Sequence, residues 1–239
     1  MERERDAILS TILQEEPDRN LLFENQGIVG EDYSMSSGPL IDDDLGQLAA
    51  DAYEDTDVRK AVSGVEGSYK YHQDLSTPET GIYTKDNQLF VASRGTTLNK
   101  SWGTALTDVS ADTGIVGGVL SGADDGGLSD RIARDQAVYQ TAQDLFPRHE
   151  AVFTGHSLGG YVAKHLADAN QKKAVAFNPG VGLPSNLDIK CLFADCSHLK
   201  SYHVVGDPIS GLNRFWGAGK HHDIAASKLN VHGTGNFKV

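Results

Sequence analysis

The sequence lacks any run of 18 or more apolar residues, which excludes an obvious transmembrane helix. It is also short of positive charge. Lysine and arginine number 21 against 33 acidic residues, a net charge of −12, and the first lysine is Lys60. That balance opposes a nucleic-acid footprint, which needs a basic face, and simple electrostatic docking onto anionic lipid. A neutral or apolar substrate remains compatible. Tryptophan is scarce too, with two residues in the whole chain, so little aromatic anchoring at an interface is on offer. The first twenty residues, MERERDAILSTILQEEPDRN, place charges where a secretion signal needs an apolar core, so an intracellular protein is the expectation. Cysteine is nearly absent: Cys191 and Cys196 sit in CLFADC. Two free thiols in a reducing compartment are the expectation there, with a short-loop disulfide as the alternative. No acidic or histidine cluster surrounds them, so they suggest neither a metal site nor a nucleophile.

What is present suits one large domain: 239 residues, 39% of them hydrophobic. Residues 1–43 are acidic and weakly patterned and read as an N-terminal extension; 44–239 read as the catalytic domain. The extension is expected to be a solvated tail, with a partner-docking arm as the sharper reading. DDDLGQLAADAYED predicts a helix, with Asp42, Asp43 and Asp44 at its positive end and Leu45, Leu48, Ala49, Ala52 and Tyr53 on its apolar face. GSYKYHQDL predicts a strand, and TGIYTKDNQLFVASRG a hairpin turning at TKDN. A helix is expected from Ser129, carrying Val138, Ala142 and Leu145 inward and stopped by Pro147. EAVFTG, KAVAFNPG and KSYHVVGD then predict strands, separated by the helix LGGYVAKHLADAN. Strands alternating with helices argue for an α/β fold with a mostly parallel sheet covered on both faces.

The chemistry concentrates in AVFTGHSLGGYVAKHLA (151–167). Gly155-His156-Ser157-Leu158-Gly159 matches G-x-S-x-G in the strand–turn–helix setting where that motif makes a nucleophile. The turn forces serine into a strained conformation, demands small neighbours, and leaves the Leu158 N–H facing a developing oxyanion. Ser157 is the candidate nucleophile. His156, beside it, points elsewhere, and His165 reads as a packed or surface residue. An activated serine needs a base, and the base needs an orienting acid. Asp207, at the end of the apolar strand SYHVVGD, is the candidate acid. His232, in the glycine-rich NVHGTGNF, is the favoured base. His221 and His222 of GAGKHHDIAAS, where a strand could begin, are the alternatives. Thr96, after LFVASRG, offers an N–H and a hydroxyl as a second oxyanion donor. On residue chemistry alone, RGTT is equally well a plain turn.

These stretches together resemble the class 3 lipases, the fungal-lipase-like branch of the α/β-hydrolases. The resemblance rests on LFVASRGTTLNKSWGTALTD (89–108), AVFTGHSLGGYVAKHLA, AVAFNPG (174–180) and HVVGDPIS (203–210), and covers roughly residues 45–239. Arg94, Gly95, Thr96, Trp102 and Asp108 correspond to the family's Arg-Gly-Ser/Thr, Trp and Asp. The resemblance implies Thr96 as the oxyanion residue and supports His232. It also implies that the segment after Asp108, residues 109–127, forms a lid whose GIVGGVL could meet lipid when displaced. The segment departs from the family in being glycine-rich and a poor helix former. The reading is a serine hydrolase of lipid or related esters, acting without metal or organic cofactor on an acyl-ester substrate. Its rivals are a non-catalytic module and a thioesterase or peptidase on the same scaffold.

Overall fold

The computed structural model describes residues 42–60, 62–64, 67–95, 127–180, 186–207, 217–226, 233 and 234. All of them fall within one compact unit, Pro39–Val239. Among them, eight strands form a sheet in strict sequence order. The first four are antiparallel: β1 (Val62–Gly64), β2 (Gly67–Tyr71), β3 (Thr80–Lys85) and β4 (Gln88–Ser93). The hairpin expected at TKDN joins β3 to β4, with Asp86 in the left-handed region at φ 51°. From β4 onward every pairing is parallel: β5 (Glu150–His156), β6 (Lys173–Phe177), β7 (Leu199–Val204) and β8 (Lys220–Ile224). The sequence pattern does not announce β1, which has three residues. It only hints at β8, which carries Lys220, His221, His222 and Asp223 in place of an apolar face.

Four α-helices accompany the sheet among the described residues: α1 (Asp42–Asp51), α2 (Gly127–Leu145), α3 (Leu158–Asn170) and α4 (Asn186–Cys191). Parallel strands added one after another in one direction, with right-handed crossovers, put their connecting helices on a single face. On that face Ile82, Leu89, Val91, Phe153 and Leu199 meet Tyr139, Ala142, Val162, Leu166 and Leu187 from the helices. Alternate strand residues turn the other way. There Tyr83, Phe90, Val152, Val175 and Phe177 pack on Leu45, Leu48, Ala49 and Ala52 of α1 and its end. Each fully buried side chain of this size contributes about 1.5–3 kcal/mol.

The aspartates of α1 do more than complement its dipole. Lys200 Nζ donates to Asp42 Oδ2 at 2.7 Å, the Tyr202 hydroxyl donates to the same oxygen, and the Tyr69 hydroxyl donates to Asp44 at 2.9 Å. α1 is thereby tied to β2 and β7 by its first turn. The free thiols expected at Cys191 and Cys196 are corrected: the two are joined in a disulfide that closes α4 back toward the start of β7. Its intervening Leu192 and Phe193 are exposed. No helix of the described residues is long and apolar enough to cross a membrane. The acidic extension up to residue 41 and the expected lid at 109–126 lie outside the described residues.

Candidate active site

Ser157 leaves β5 at φ 57°, ψ −129°, a conformation costing a non-glycine residue about 1–3 kcal/mol. The surroundings over-determine it. Its N–H donates to the Phe177 carbonyl of β6 at 3.0 Å, and its own carbonyl accepts from Tyr161 N–H at 3.2 Å. The motif glycines explain the tightness. A Cβ on Gly155 would stand 2.4 Å from the Gly159 backbone, and one on Gly159 would stand 2.1 Å from the Ser93 carbonyl. Serine in the N-cap position usually bonds back to the helix, but the Ser157 side chain makes no capping bond to α3. Leu158 begins α3, so its N–H belongs to the first turn, which has no partner within the helix.

The chain after β4 is brought directly onto this turn. A Cβ on Gly95 would meet the Tyr53 hydroxyl oxygen at 2.2 Å, the His156 carbonyl at 2.6 Å and Ser157 Cβ at 3.2 Å. Thr96, the next residue, lies outside the described residues. The stem of this loop is held by a buried polar network. Ser93 Oγ donates to Asp135 Oδ2 at 2.8 Å, and Arg131 Nε donates to Asp135 Oδ1 at 2.9 Å. Arg131 Nη2 also donates to the carbonyls of Arg94 and Glu79, both at 2.9 Å. Outside this pair, Arg134 forks onto the Glu79 carboxylate and holds its pKa below the ordinary value. Sequence reading missed Arg131 and Asp135, yet a signal exists: 131, 135, 138 and 142 share one helical spacing, so two charges sit on the core stripe.

Asp207 is buried and follows β7, two strands along from β5. Parallel strands end on the same edge, so the Ser157 turn and Asp207 share the carboxyl edge of the sheet. Asn178, at φ 43° after β6, clamps this region. Its Oδ1 accepts from Val204 N–H at 2.8 Å, and its N–H donates to the Tyr202 carbonyl at 2.7 Å. Asn178 too was missed; FNPG reads as a turn without saying which strand its side chain holds.

The alternative bases are not brought to Ser157. The register His156↔Phe177↔Tyr202↔His222 puts His222 three strands from the elbow, about 14 Å away at ordinary strand spacing. Its ring stacks on Tyr202 at 5.2 Å. His221 turns to the opposite face, where Nδ1 meets His203 Nε2 at 2.8 Å and Nε2 donates to the Gly217 carbonyl at 2.7 Å. Burial lowers its pKa. His232 lies outside the described residues, but β8 ends at Ile224 on the carboxyl edge, so the chain toward His232 leaves from the edge that carries Ser157. As expected, His156 points away: it is buried, with Nδ1 2.9 Å from the Tyr53 hydroxyl. His165 packs on Tyr161 at 4.3 Å, and burial pushes its pKa down to about 4. Among the described residues no group of three or more His, Cys, Asp or Glu could hold a metal ion.

Comparison with known proteins gives a fold. A mutant form of MDLA from Penicillium cyclopium superposes with a TM-score of 0.50 at 19% identity, over 81% of this chain and 82% of that one. A crystal structure of fungal lipases gives 0.50 at 17% identity, over 81% and 82%. The chain has the α/β-hydrolase fold. The profile of an uncharacterised protein family (UPF0227) matches residues 131–195, from α2 through α4. No curated protein matches the sequence.

Proposed function

We propose that this protein is a serine hydrolase of carboxylic esters, with lipid-type acyl esters as its substrate class. The observation that carries the reading is Ser157 held at positive φ between β5 and α3, with the Gly95 loop pressed against it. A strained serine kept in place by backbone clashes that only glycine avoids is a cost without a folding benefit; aiming a hydroxyl off the sheet edge accounts for it.

In this reading Ser157 Oγ attacks the ester carbonyl while His232 takes its proton. The oxyanion is met by the N–H groups of Leu158 and Thr96. The C–O bond to the alcohol breaks as His232 returns the proton to the leaving oxygen. Water then repeats the attack on the acyl-enzyme, releasing the acid and regenerating Ser157. Asp207 holds the imidazole and stabilises its charged form. Placement of the Ser157 turn and Asp207 on one strand edge, with β8 delivering the chain toward His232 to that edge, supports these roles. The acyl chain would cross the sheet edge beneath residues 109–127, whose apolar GIVGGVL suits a cover over it.

Fluorophosphonate labelling tests the assignment. Label should enter the wild type, vanish in Ser157→Ala and His232→Ala, and persist in His222→Ala and His221→Phe. Wild type that folds but takes no label would sink the hydrolase reading in favour of a non-catalytic module. A series of p-nitrophenyl esters of increasing acyl length then separates a lipid esterase, whose kcat/KM rises with chain length, from a small-ester enzyme.

A further inference from the structure

Tyr53 follows the end of α1, and its phenol reaches the underside of the elbow. The hydroxyl lies 2.9 Å from His156 Nδ1 and 3.4 Å from the His156 carbonyl, and it is packed against the Gly95 backbone. The tyrosine and histidine rings meet edge to face at 5.7 Å, and the Arg94 guanidinium sits over the phenol at 5.8 Å. One oxygen thus touches both halves of the site: the loop after β4 and the turn after β5. The fit leaves no slack, because a Cβ on Gly95 would overlap that oxygen at 2.2 Å. Burial raises the phenol pKa, so the hydroxyl keeps its proton at neutral pH and can donate to Nδ1.

We propose, resting on the hydrolase reading above, that Tyr53 is a positioning residue. Its hydroxyl is wedged between the Gly95 backbone and the His156 ring and so sets the gap between the loop that Gly95 begins and the turn bearing Ser157 and Leu158. Oxyanion donors act only when about 2.7–3.1 Å from the developing charge. The two donors in question come from different strands, and nothing covalent nearby fixes their separation. Arg131 restrains the loop through the Arg94 carbonyl on the other side; Tyr53 is the contact that faces the turn itself.

The test is Tyr53→Phe, which keeps the ring packing and removes the one oxygen. Active sites are titrated with a fluorophosphonate, and kcat, KM and the affinity for an alkyl boronic acid, a tetrahedral-adduct inhibitor, are measured per titrated site. The expected result is a fall in kcat of about 10–100-fold, the cost of a misplacement near 1 Å, with KM within about twofold. Boronate affinity should fall alongside kcat/KM. A purely structural role would lower the thermal midpoint and the number of titratable sites while leaving kcat per site alone, and that result overturns the proposal. His156→Leu removes the same bond from its other end and should repeat the kcat loss; an unchanged kcat there also overturns it. Wild type that neither labels nor hydrolyses any ester overturns the hydrolase reading itself, and this proposal with it, whereas a labelled wild type with an unaffected Tyr53→Phe overturns this proposal alone.

Discussion

The two halves of the candidate site are held by different means. Around Ser157 the backbone is packed against backbone, with Gly95, Gly155 and Gly159 each leaving no room for a Cβ. Ahead of the buried Asp207 the turn itself has room: a Cβ on Gly206, at φ 90°, would meet nothing within 4 Å, and the neighbouring Val205 is exposed. There the chain is steered by hydrogen bonds to and from Asn178 instead. In the proposed mechanism the Ser157 half needs its donors fixed relative to a developing charge. The same mechanism asks of the Asp207 half only a carboxylate within reach of an imidazole, a looser demand that a turn and two bonds can meet.

Breaking the lock around Ser157 should have the largest effect. Arg131→Met removes the cation from buried Asp135 and takes the guanidinium away from the Arg94 carbonyl and from the Glu79 carbonyl, which keeps only the Arg94 N–H. Removing one partner of a buried pair costs about 3–5 kcal/mol, because the remaining charge stays buried. Urea denaturation should show the midpoint dropping accordingly, with fluorophosphonate labelling lost under conditions where the wild type still labels. A stability within about 1 kcal/mol of wild type would mean that water reaches Asp135 and the network does not lock the loop.

The same substitution made in each half sharpens the contrast. Gly159→Ala must move α3 off β4, since its Cβ would meet the Ser93 carbonyl at 2.1 Å; the cost should reach or exceed about 3 kcal/mol, the top of the usual overpacking range. Gly206→Ala has room and pays only for its φ, about 1 kcal/mol. Paired denaturation curves check the difference. Equal losses would show that the open turn after β7 is more constrained than its surroundings indicate.

Legibility from sequence followed the same division. The elbow was readable because G-x-S-x-G encodes a backbone geometry, and a backbone geometry needs particular residues at fixed offsets. The hairpin, the three apolar parallel strands β5, β6 and β7, and the helices α1, α2 and α3 were readable for a similar reason, since period and turn chemistry are local. Asn178, Tyr53 and the Arg131–Asp135 pair were not, because each acts across 26 to 103 residues of sequence on a partner that no local pattern names. β8 was faint because an edge strand need not be apolar, and KHHDI carries charge where a central strand would carry valine. The disulfide stood only as the alternative to free thiols because two cysteines five apart are also what a reduced protein can contain.

The smallest effect lies away from both halves and vanishes at neutral pH. His72 and His165 are each pushed down to about 4, chiefly by burial; His72 bonds the Thr84 hydroxyl at 2.8 Å, and His165 lies against Tyr161 with Lys164 opposing and Asp188 favouring its charge. Well above pH 6.5 these rings are neutral whether the chain is folded or not, so they leave stability independent of pH. Between pH 6.5 and 4 the unfolded chain binds protons that the folded chain refuses, and stability falls as pH falls. His165→Phe, which keeps a ring against Tyr161 and cannot titrate, should flatten that part of the profile while matching wild type at about pH 7.5, where both forms of the ring are neutral. A curve that keeps its full slope after the substitution would show that His165 takes up its proton in the folded state as readily as in the unfolded one, and that the helix α3 carrying the elbow opens there more easily than its packing suggests.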